Sequence, residues 1–309
     1  MNEKYKGHIA IVAANTIFGL NIPVTKSLIS NWMSPTGYTL TRMLFGAILF
    51  WAVGFFYPKE KVTRKDLWII ALGGFFGFVA TQLLFASALK FTTPVYFALM
   101  MSLTPVLVLL LSILFLKETT TRIKLLGTLL SIAGAFLIIL QSGNHGTGSN
   151  NLLGIFLAIL AALGYGIYMI ITREVALKYK PVTIVKYMFL FSCLMVVPFG
   201  ITTLPTETIY SSAVTTSAIL QLAFALLLST TLAFFLMPVA LNKLKASTVS
   251  IYMNLQPIIA SVAALIIGQD VFSWDKPLAA ALVIAGVYLV TKPKNMNQIN
   301  TITEYENNH

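Results

Sequence analysis

Few side chains in this 309-residue sequence have the types and spacing that catalysis requires. Group transfer or hydrolysis in an apolar setting needs paired carboxylates, a histidine cluster, or a nucleophile with a base beside it. The three histidines, His8, His145 and His309, lie at or beyond the ends of long apolar runs, and none of those runs has Asp or Glu in its middle. The single cysteine, Cys193, has no disulfide partner and no neighbouring base. With no zinc or phosphate-loop spacing either, the sequence predicts no enzyme, no metal site and no cofactor.

The polar side chains inside the apolar runs are better suited to binding than to catalysis. Arg42 can bind a substrate carboxylate, pair with a helix end, or extend outward to water, and the same alternatives hold for Lys26. Neutral amides such as Asn21 and Gln82 can line a cavity or hydrogen-bond a neighbouring helix. The candidate cavity residues are Asn21, Lys26, Arg42, Gln82, Tyr96, Met100, Tyr165, Tyr168, Tyr252, Asn254 and Gln256.

The most polar of the apolar runs is 247–267, and its polar residues come directly before Pro257. Leaving so many hydrogen-bonding groups unsatisfied against lipid would cost several kcal/mol, so they must face protein or water. Tyr252 and Gln256 are four residues apart and are expected on one helix face, which makes this segment the first place to look for a substrate. Its polar members are Ser247, Thr248, Ser250, Tyr252, Asn254 and Gln256.

The elements that position these side chains follow from composition. Charged residues make up 10% of the chain, hydrophobic residues 57%, and the mean hydropathy is +0.84, which is outside the range of soluble domains. A spanning helix needs roughly 20 apolar residues, and the first run is too long for a signal peptide and lacks a cleavage site. We therefore predict an all-α integral membrane protein with ten transmembrane helices at 8–28, 36–56, 67–88, 94–116, 123–141, 152–172, 182–201, 217–240, 247–267 and 277–291.

The sequence contains an internal repeat at an offset of 152 residues. In both copies an apolar helix is interrupted by proline, Pro105 or Pro257, and both prolines are predicted to act as kinks or hinges. We predict two five-helix repeats, 8–141 and 152–292, a polar linker at 142–151, and a disordered tail at 295–309. The pairs that define the register are Leu103 with Leu255, Pro105 with Pro257, Glu118 with Asp270, Lys124 with Lys276, and Gly134 with Gly286.

Basic residues predict the orientation. Seventeen of the 21 Lys and Arg residues fall on one side of the predicted topology, which places both termini in the cytoplasm. The net charge of +11 then reflects topology, so we predict no nucleic-acid partner. The predicted partners are the lipid bilayer and a small-molecule substrate. No organelle-targeting segment is visible, so the inner (plasma) membrane is the expected location, and the sequence does not decide between a monomer and a homodimer.

Because each repeat has five helices, the second must enter the membrane upside down relative to the first. Two inverted halves of similar energy can exchange conformations, which is the physical basis of alternating access in secondary transporters. The predicted architecture therefore favours a transporter over a channel or a receptor.

The chain resembles the drug/metabolite transporter superfamily, in its EamA branch. The resemblance covers about residues 8–291. It rests on Phe18-Gly19-Leu20-Asn21 with Lys26 after it, on the two repeat prolines, on Leu116-Lys117-Glu118 between two helices, and on Gly127 with Gly134. The second copy departs from the pattern at Gly268-Gln269-Asp270 and at Ala279. The resemblance implies export of amino acids, metabolites or toxic compounds, or uptake of vitamins and other solutes, without naming the cargo.

The lack of acidic residues inside the runs limits the mechanism. Proton-driven antiporters commonly use a buried Asp or Glu, so the sequence favours export or exchange of small neutral or zwitterionic metabolites, such as amino acids, driven by their own gradient. Coupling through Lys26, Arg42 or a tyrosine stays open. The alternative is an importer or exchanger of organic anions, vitamins or phosphorylated metabolites, which would need several cations in the cavity.

Overall fold

A computed structural model describes residues 3–116, 121–145, 148–244, 249, 252–270 and 272–291. Within these residues each of the ten predicted apolar runs falls on helix, which confirms the predicted all-α membrane fold. The predicted tail at 295–309, Glu118, and Ser247, Thr248 and Ser250 lie outside the described residues. The helices are α1 (Glu3–Asn31), α2 (Pro35–Gly54), α3 (Arg64–Phe91), α4 (Pro94–Met101 and Thr104–Leu116), α5 (Arg122–His145), α6 (Asn151–Ala176), α7 (Pro181–Gly200), α8 (Thr216–Lys243), α9 (Leu255–Ile266) and α10 (Asp275–Thr291).

Length and apolar character set which helices can cross a bilayer alone. Among the described residues seven helices are long and apolar enough to do so, namely α1, α2, α3, α4, α6, α7 and α8. The apolar parts of α9 and α10 are shorter, and α5 has 24 residues. Helix α5 continues to His145, inside the predicted linker 142–151, because loss of apolar residues does not by itself interrupt the backbone hydrogen bonds of a helix.

Tertiary contacts match the alternating direction of the helices. We call the face at which α1 begins the basic face, and the face at which α1 ends the opposite face. On the basic face, His8 contacts Tyr252, and Asp66 contacts Lys178. On the opposite face, the backbone N–H of Asn150 donates to the Phe91 carbonyl. Each contact joins positions that the ten-span topology places on the same face, as two inverted five-helix repeats require.

The repeat prolines lie just after breaks in the helices. In α4 the break is at Ser102 and Leu103, and Pro105 is in the first turn of the following segment, where a missing N–H is harmless. The hydroxyl of Thr104 donates to the carbonyl of Met101 at 2.7 Å, which satisfies a group exposed by the break. In the second copy a 3₁₀ turn at Tyr252–Asn254 precedes α9, and Pro257 is again in the first turn.

The third helix of each repeat contains a π-helical segment, Phe75–Ala80 in α3 and Phe224–Ala233 in α8. Threonine hydroxyls bond to carbonyls five residues earlier, Thr81 to Phe76 at 2.6 Å and Thr230 to Ala225 at 2.8 Å. Such wide turns often occur at functional sites because they rotate the side chains that follow. Both segments adjoin the candidate site described below.

A cluster of phenylalanine rings fills the space between the two repeats on the basic-face side of Arg42. Phe78 is central to it, with ring centroids 4.3 Å from Phe234 and 4.6 Å from Phe189, and Phe50 stacks on Phe189 at 5.4 Å. Helices α2 and α3 supply two rings, and α7 and α8 supply the other two. Such ring pairs stabilise the packing beyond the area they bury.

Helices α5 and α10, the last of each repeat, pack at glycine positions. A Cβ atom on Gly134 would lie 2.8 Å from Cγ2 of Val283 and 3.0 Å from the backbone nitrogen of Val283. The hydroxyl of Ser131 also donates to the Val283 carbonyl at 3.3 Å. The two backbones therefore approach as closely as small residues permit.

We expect the Gly134→Leu variant to lose about 2–3 kcal/mol of stability, because a rigid backbone leaves no room for the added side chain. The measurement is the melting temperature of the detergent-purified protein. Ala133→Leu is the matched control, because Ala133 is exposed on the same helix. Equal melting temperatures for Gly134→Leu and the wild type would contradict the α5–α10 packing.

Candidate functional site

A cavity lies between the two repeats, with lining residues from both of them. Helices α1 to α4 supply the wall from the first repeat, and α6, α8 and α9 supply it from the second. The lining positions fall in the middle of most of these helices, so the cavity lies within the membrane-spanning region. The lining residues are Phe18, Asn21, Ile22, Arg42, Thr81, Gln82, Phe85, Phe97, Met101, Tyr165, Ser229 and Gln256.

Arg42 is the charged residue of this wall, and only 1% of it is exposed. Its Nε donates to the Thr230 hydroxyl at 2.7 Å and its Nη2 to the Ser229 hydroxyl at 3.1 Å, while Nη1 donates to Oε1 of Gln82. The guanidinium carbon lies 5.3 Å from the ring centroid of Tyr38. Arg42 therefore turns inward rather than extending to water, and the third helices of both repeats hold it.

The positive charge of Arg42 is not matched by an acidic side chain on this wall. Asp66 and Glu174 pair with Lys178, and Asp270 pairs with Lys276. A buried charge without a counter-ion is costly. Three guanidinium N–H groups are bonded to described neutral oxygens, which leave the positive charge of Arg42 without a counter-ion and available to an anionic group in the cavity.

The neutral polar groups of the wall come from five helices, and Asn21 of α1 and Gln256 of α9 are among them. Asn21 is 2% exposed, and its Nδ2 donates to the Thr25 hydroxyl at 3.1 Å and to the Tyr38 hydroxyl at 3.5 Å. Its Oδ1 is buried and has no hydrogen-bond partner in the described part of the chain. Gln256 is held in place because its Nε2 donates to Oδ1 of Asn15 at 2.6 Å. These contacts fix both amides against the cavity.

Aromatic and aliphatic side chains make up most of the remaining wall. Phe85 and Phe97 pack edge to face with ring centroids 4.9 Å apart. The hydroxyl of Tyr165 is buried and finds no hydrogen-bond partner among the described residues. Such a cavity, mostly apolar with a few placed polar groups, has the character of a small-molecule site.

A sequence profile of the EamA-like transporter family matches residues 5–140 and 152–292, one match for each repeat. The chain belongs to the EamA-like transporter family.

Curated relatives agree with membership of this family. The Bacillus subtilis protein named as the uncharacterized transporter YetK is 23% identical over 297 residues, which cover 95% of this chain and 89% of YetK. A WAT1-related protein of Arabidopsis thaliana is 24% identical, over 96% of this chain and 84% of the plant protein. A solved crystal structure aligns with a TM-score of 0.63 and 17% identity over 91% of this chain and 97% of its own, which supports the fold. The chain is thus a multi-pass membrane transporter of the EamA-like family.

Five of the predicted site residues of this EamA-like transporter meet in the cavity wall. They are Asn21, Arg42, Gln82, Tyr165 and Gln256. Tyr96 and Met100 are fully buried in the core, and the amine of Lys276 lies 5.4 Å from the Tyr96 ring centroid. Tyr168 packs against Phe78 outside the wall, with ring centroids 5.9 Å apart.

The segment before Pro257 differs from the expectation of one continuous helix face. The structure contains a 3₁₀ turn at Tyr252–Asn254, so Tyr252 and Gln256 do not share a regular helical face. The Tyr252 hydroxyl instead bonds to Nδ1 of His8 at 2.7 Å, toward the basic face. Asn254 is partly exposed, and its buried Oδ1 has no hydrogen-bond partner among the described residues. Gln256 alone of these three lines the cavity.

Lys26 lies outside the wall and pairs with a helix end. Its amine donates to the carbonyls of Leu89 at 2.7 Å and Thr92 at 3.0 Å, at the C-terminal end of α3. A cation there satisfies exposed carbonyls and interacts favourably with the helix dipole.

We expect Lys26→Met to lower the stability of the protein by about 1 kcal/mol because it removes these two bonds. Transport per folded molecule should stay within about twofold of the wild type, since a loss of about 1 kcal/mol leaves a folded protein folded. The measurements are the melting temperature and the flux normalised to folded protein. A strong loss of flux at an unchanged melting temperature would instead place Lys26 in the substrate site.

Part of the cavity wall could not be predicted from the sequence. Ser229 and Thr230 hold Arg42, yet nothing in their spacing distinguishes them from other hydroxyls in apolar helices. Phe85 and Phe97 look like ordinary core residues. The polar residues that bond to Arg42 lie in or next to the π-helical segments. Their role could be predicted only if those segments could be recognised, and this sequence alone does not reveal them.

Proposed function

We propose that this protein is a secondary transporter that exports or exchanges small neutral or zwitterionic metabolites, such as amino acids, by alternating access. The observation that carries the proposal is the buried Arg42 on the wall of a mid-membrane cavity between the repeats, with its charge unmatched by a neighbouring acid. A substrate carboxylate would supply the counter-ion that Arg42 lacks.

Contacts between the repeats on both faces support alternating access. On the opposite face, Glu207 accepts a bond from the backbone N–H of Ser34 at 2.6 Å and also one from its hydroxyl, and Gln269 donates to the Pro23 carbonyl at 3.0 Å. Both contacts join one repeat to the other. Opening this face would break them while leaving those of the basic face intact.

The basic face is closed by a separate set of contacts. Asp66 accepts bonds from Lys178 at 3.0 Å and from the Tyr179 hydroxyl at 2.7 Å, and His8 bonds to Tyr252. The pKa of Lys178 is raised, mainly because the Lys178 amine donates a hydrogen bond to Asp66. Because both sets cross between repeats, the two faces can open in turn around the cavity, as inverted repeats allow.

Orientation and location are part of the proposal. The basic face is expected in the cytoplasm, with both termini, and the inner (plasma) membrane is the expected location. A reactive cysteine placed at His145 should be labelled from outside the cell, whereas one placed at Lys6 should not. Labelling of both positions from the same side would contradict the inverted arrangement.

Organic anions are the second candidate substrates, because an unmatched Arg42 also favours a simple carboxylate. Two features weigh against phosphorylated metabolites. Lys26 is engaged with backbone carbonyls, and Arg42 is the cation among the lining residues. A doubly charged phosphate would therefore meet one positive group, where two or more are expected.

Counterflow in proteoliposomes tests the proposal. Purified protein in liposomes loaded with one unlabelled amino acid should accumulate the same labelled amino acid transiently and saturably. Screening a panel of amino acids, carboxylates and phosphorylated metabolites identifies the class. Equal flux under pH gradients of either sign is expected, since the described lining residues include no acid. Uphill accumulation driven by protons would contradict the gradient-driven mechanism, and absence of amino-acid counterflow would contradict the proposed substrates.

A further inference from the structure

We propose that Asn21 recognises the amino group of the substrate, so that the site selects 2-amino acids over the 2-oxo and 2-hydroxy acids with the same side chain. This inference rests on the proposed function. The substrate must then carry an amino group beside its carboxylate, and Asn21 binds that amino group.

The first step is the orientation of the Asn21 amide. Its Nδ2 is directed to the hydroxyls of Thr25 and Tyr38, which bond to each other at 2.8 Å. Its Oδ1 is left buried without a partner in the described part of the chain, on a residue that lines the cavity. A buried acceptor in this condition is costly until a donor reaches it. A substrate N–H is such a donor.

The second step is the position of Asn21 relative to Arg42. Both residues contact Tyr38, Arg42 through the face of the ring at 5.3 Å and Asn21 through the hydroxyl at 3.5 Å. The donor fork and the unsatisfied acceptor therefore belong to one part of the wall. A 2-amino acid carries its carboxylate and its amino group on neighbouring carbons, so one ligand can satisfy both groups together.

The third step is charge. No Asp or Glu is among the lining residues, so the positive charge of an ammonium group would be balanced by the carboxylate of the same molecule. The faces of Phe18, Phe85 and Phe97 are also favourable to an ammonium group. A 2-oxo acid would bring a carbonyl oxygen to Oδ1 of Asn21, so two acceptors would meet without a proton between them. A 2-hydroxy acid can donate one bond but carries no positive charge.

The inference predicts a specific order among inhibitors of amino-acid counterflow. The 2-amino acid with the strongest counterflow should compete best, its 2-hydroxy analogue about tenfold more weakly, and its 2-oxo analogue about 30- to 100-fold more weakly. These factors correspond to one hydrogen bond that is either weakened or replaced by an unpaired acceptor. In the Asn21→Leu variant the three analogues should compete within about threefold of one another.

Two further variants complete the experiment. Asn31→Leu is the matched control, because Asn31 is on the same helix, is exposed, and bonds only to the Ser27 carbonyl among the described contacts. It should keep the order of the wild type. Asn21→Asp supplies a charged acceptor and should retain or increase the preference for the amino acid over the 2-oxo acid.

The outcomes separate the inference from the proposed function. Amino-acid counterflow with equal inhibition by all three analogues in the wild type overturns the inference and leaves amino-acid transport in place. A wild-type preference for the 2-oxo acid also overturns it, since it means that Nδ2 rather than Oδ1 faces the substrate. Complete absence of amino-acid counterflow overturns both. The order in which the three analogues inhibit the wild-type protein tests the inference by itself. The test therefore does not depend on whether the Asn21→Leu variant folds.

Discussion

Arg42→Leu should reduce amino-acid counterflow by about 100-fold, the largest functional effect that we expect from a single substitution. The guanidinium is the group on the cavity wall that can pair with a substrate carboxylate, and it is almost fully buried. Charge-assisted bonds away from water are worth more than neutral ones, and removing one partner of such a pair commonly costs about 2–5 kcal/mol, which is roughly 30- to 5000-fold in affinity.

The same substitution should not unfold the protein. Removing a buried charge that lacks a counter-ion also removes the cost of keeping that charge out of water, which offsets the hydrogen bonds that are lost. Thr230 keeps its bond to the Ala225 carbonyl, so one of the three partners of Arg42 stays satisfied. We therefore expect an unchanged or raised melting temperature, together with loss of the thermal shift that substrate produces in the wild type.

Two other variants show whether the charge or the fork geometry matters. Arg42→Lys keeps the charge but loses the planar pair of donors, and should retain about a tenth of the wild-type flux. Arg122→Leu is the matched control, since Arg122 is exposed at the start of α5. Wild-type flux in Arg42→Leu would show that the substrate does not pair with Arg42, and would leave neutral apolar cargo as the explanation.

Lys276→Met should lower the melting temperature by about 10 °C, the largest effect that we expect on stability. Lys276 and Asp270 form an ion pair of 2.6 Å in which the two residues are only 7% and 6% exposed. Breaking a buried pair by removing one partner costs about 3–5 kcal/mol, and each kcal/mol corresponds to roughly 2–4 °C in a protein of this size class. The pair also connects α10 to Tyr96 of α4.

A double-mutant cycle separates the pair from general effects of the substitution. Asp270→Asn combined with Lys276→Met removes the charge that the single substitution leaves buried, so most of the lost stability should return. Lys178→Met is a useful comparison, because Lys178 pairs with Asp66 at the surface and its side chain is 43% exposed. It should change the melting temperature only slightly. Equal losses in the single and double variants would show that the pair itself is not what stabilises this face.

The fold was predictable because a segment that crosses a bilayer must satisfy its own backbone hydrogen bonds, and a long apolar helix does so. Ten apolar runs separated by short polar segments can hardly fold in another way, and Pro105 and Pro257 at the same repeat position indicate the duplication directly. Helix ends were less predictable. Helix α5 extends to His145 because backbone hydrogen bonding does not stop where apolar residues stop.

The site was predictable only in part. Arg42 had three alternatives in the sequence, and its burial against Gln82, Ser229 and Thr230 decides among them. Sequence spacing assumes a regular helix, whereas the π-helical segments of α3 and α8 rotate the residues beside them. A 3₁₀ turn has the same effect at Tyr252, which bonds to His8 instead of joining Gln256 in the wall. Irregular helices are therefore where periodicity fails and where this site lies.

The phenylalanine cluster of Phe50, Phe78, Phe189 and Phe234 determines how the rate of exchange should respond to heat. Each repeat contributes two rings, so in the proposed alternating access an opening of the basic face would separate them and bring water to their faces. Hydration of apolar surface increases the heat capacity. The barrier to opening should therefore have its own heat-capacity change, and an Arrhenius plot of exchange should be curved rather than straight.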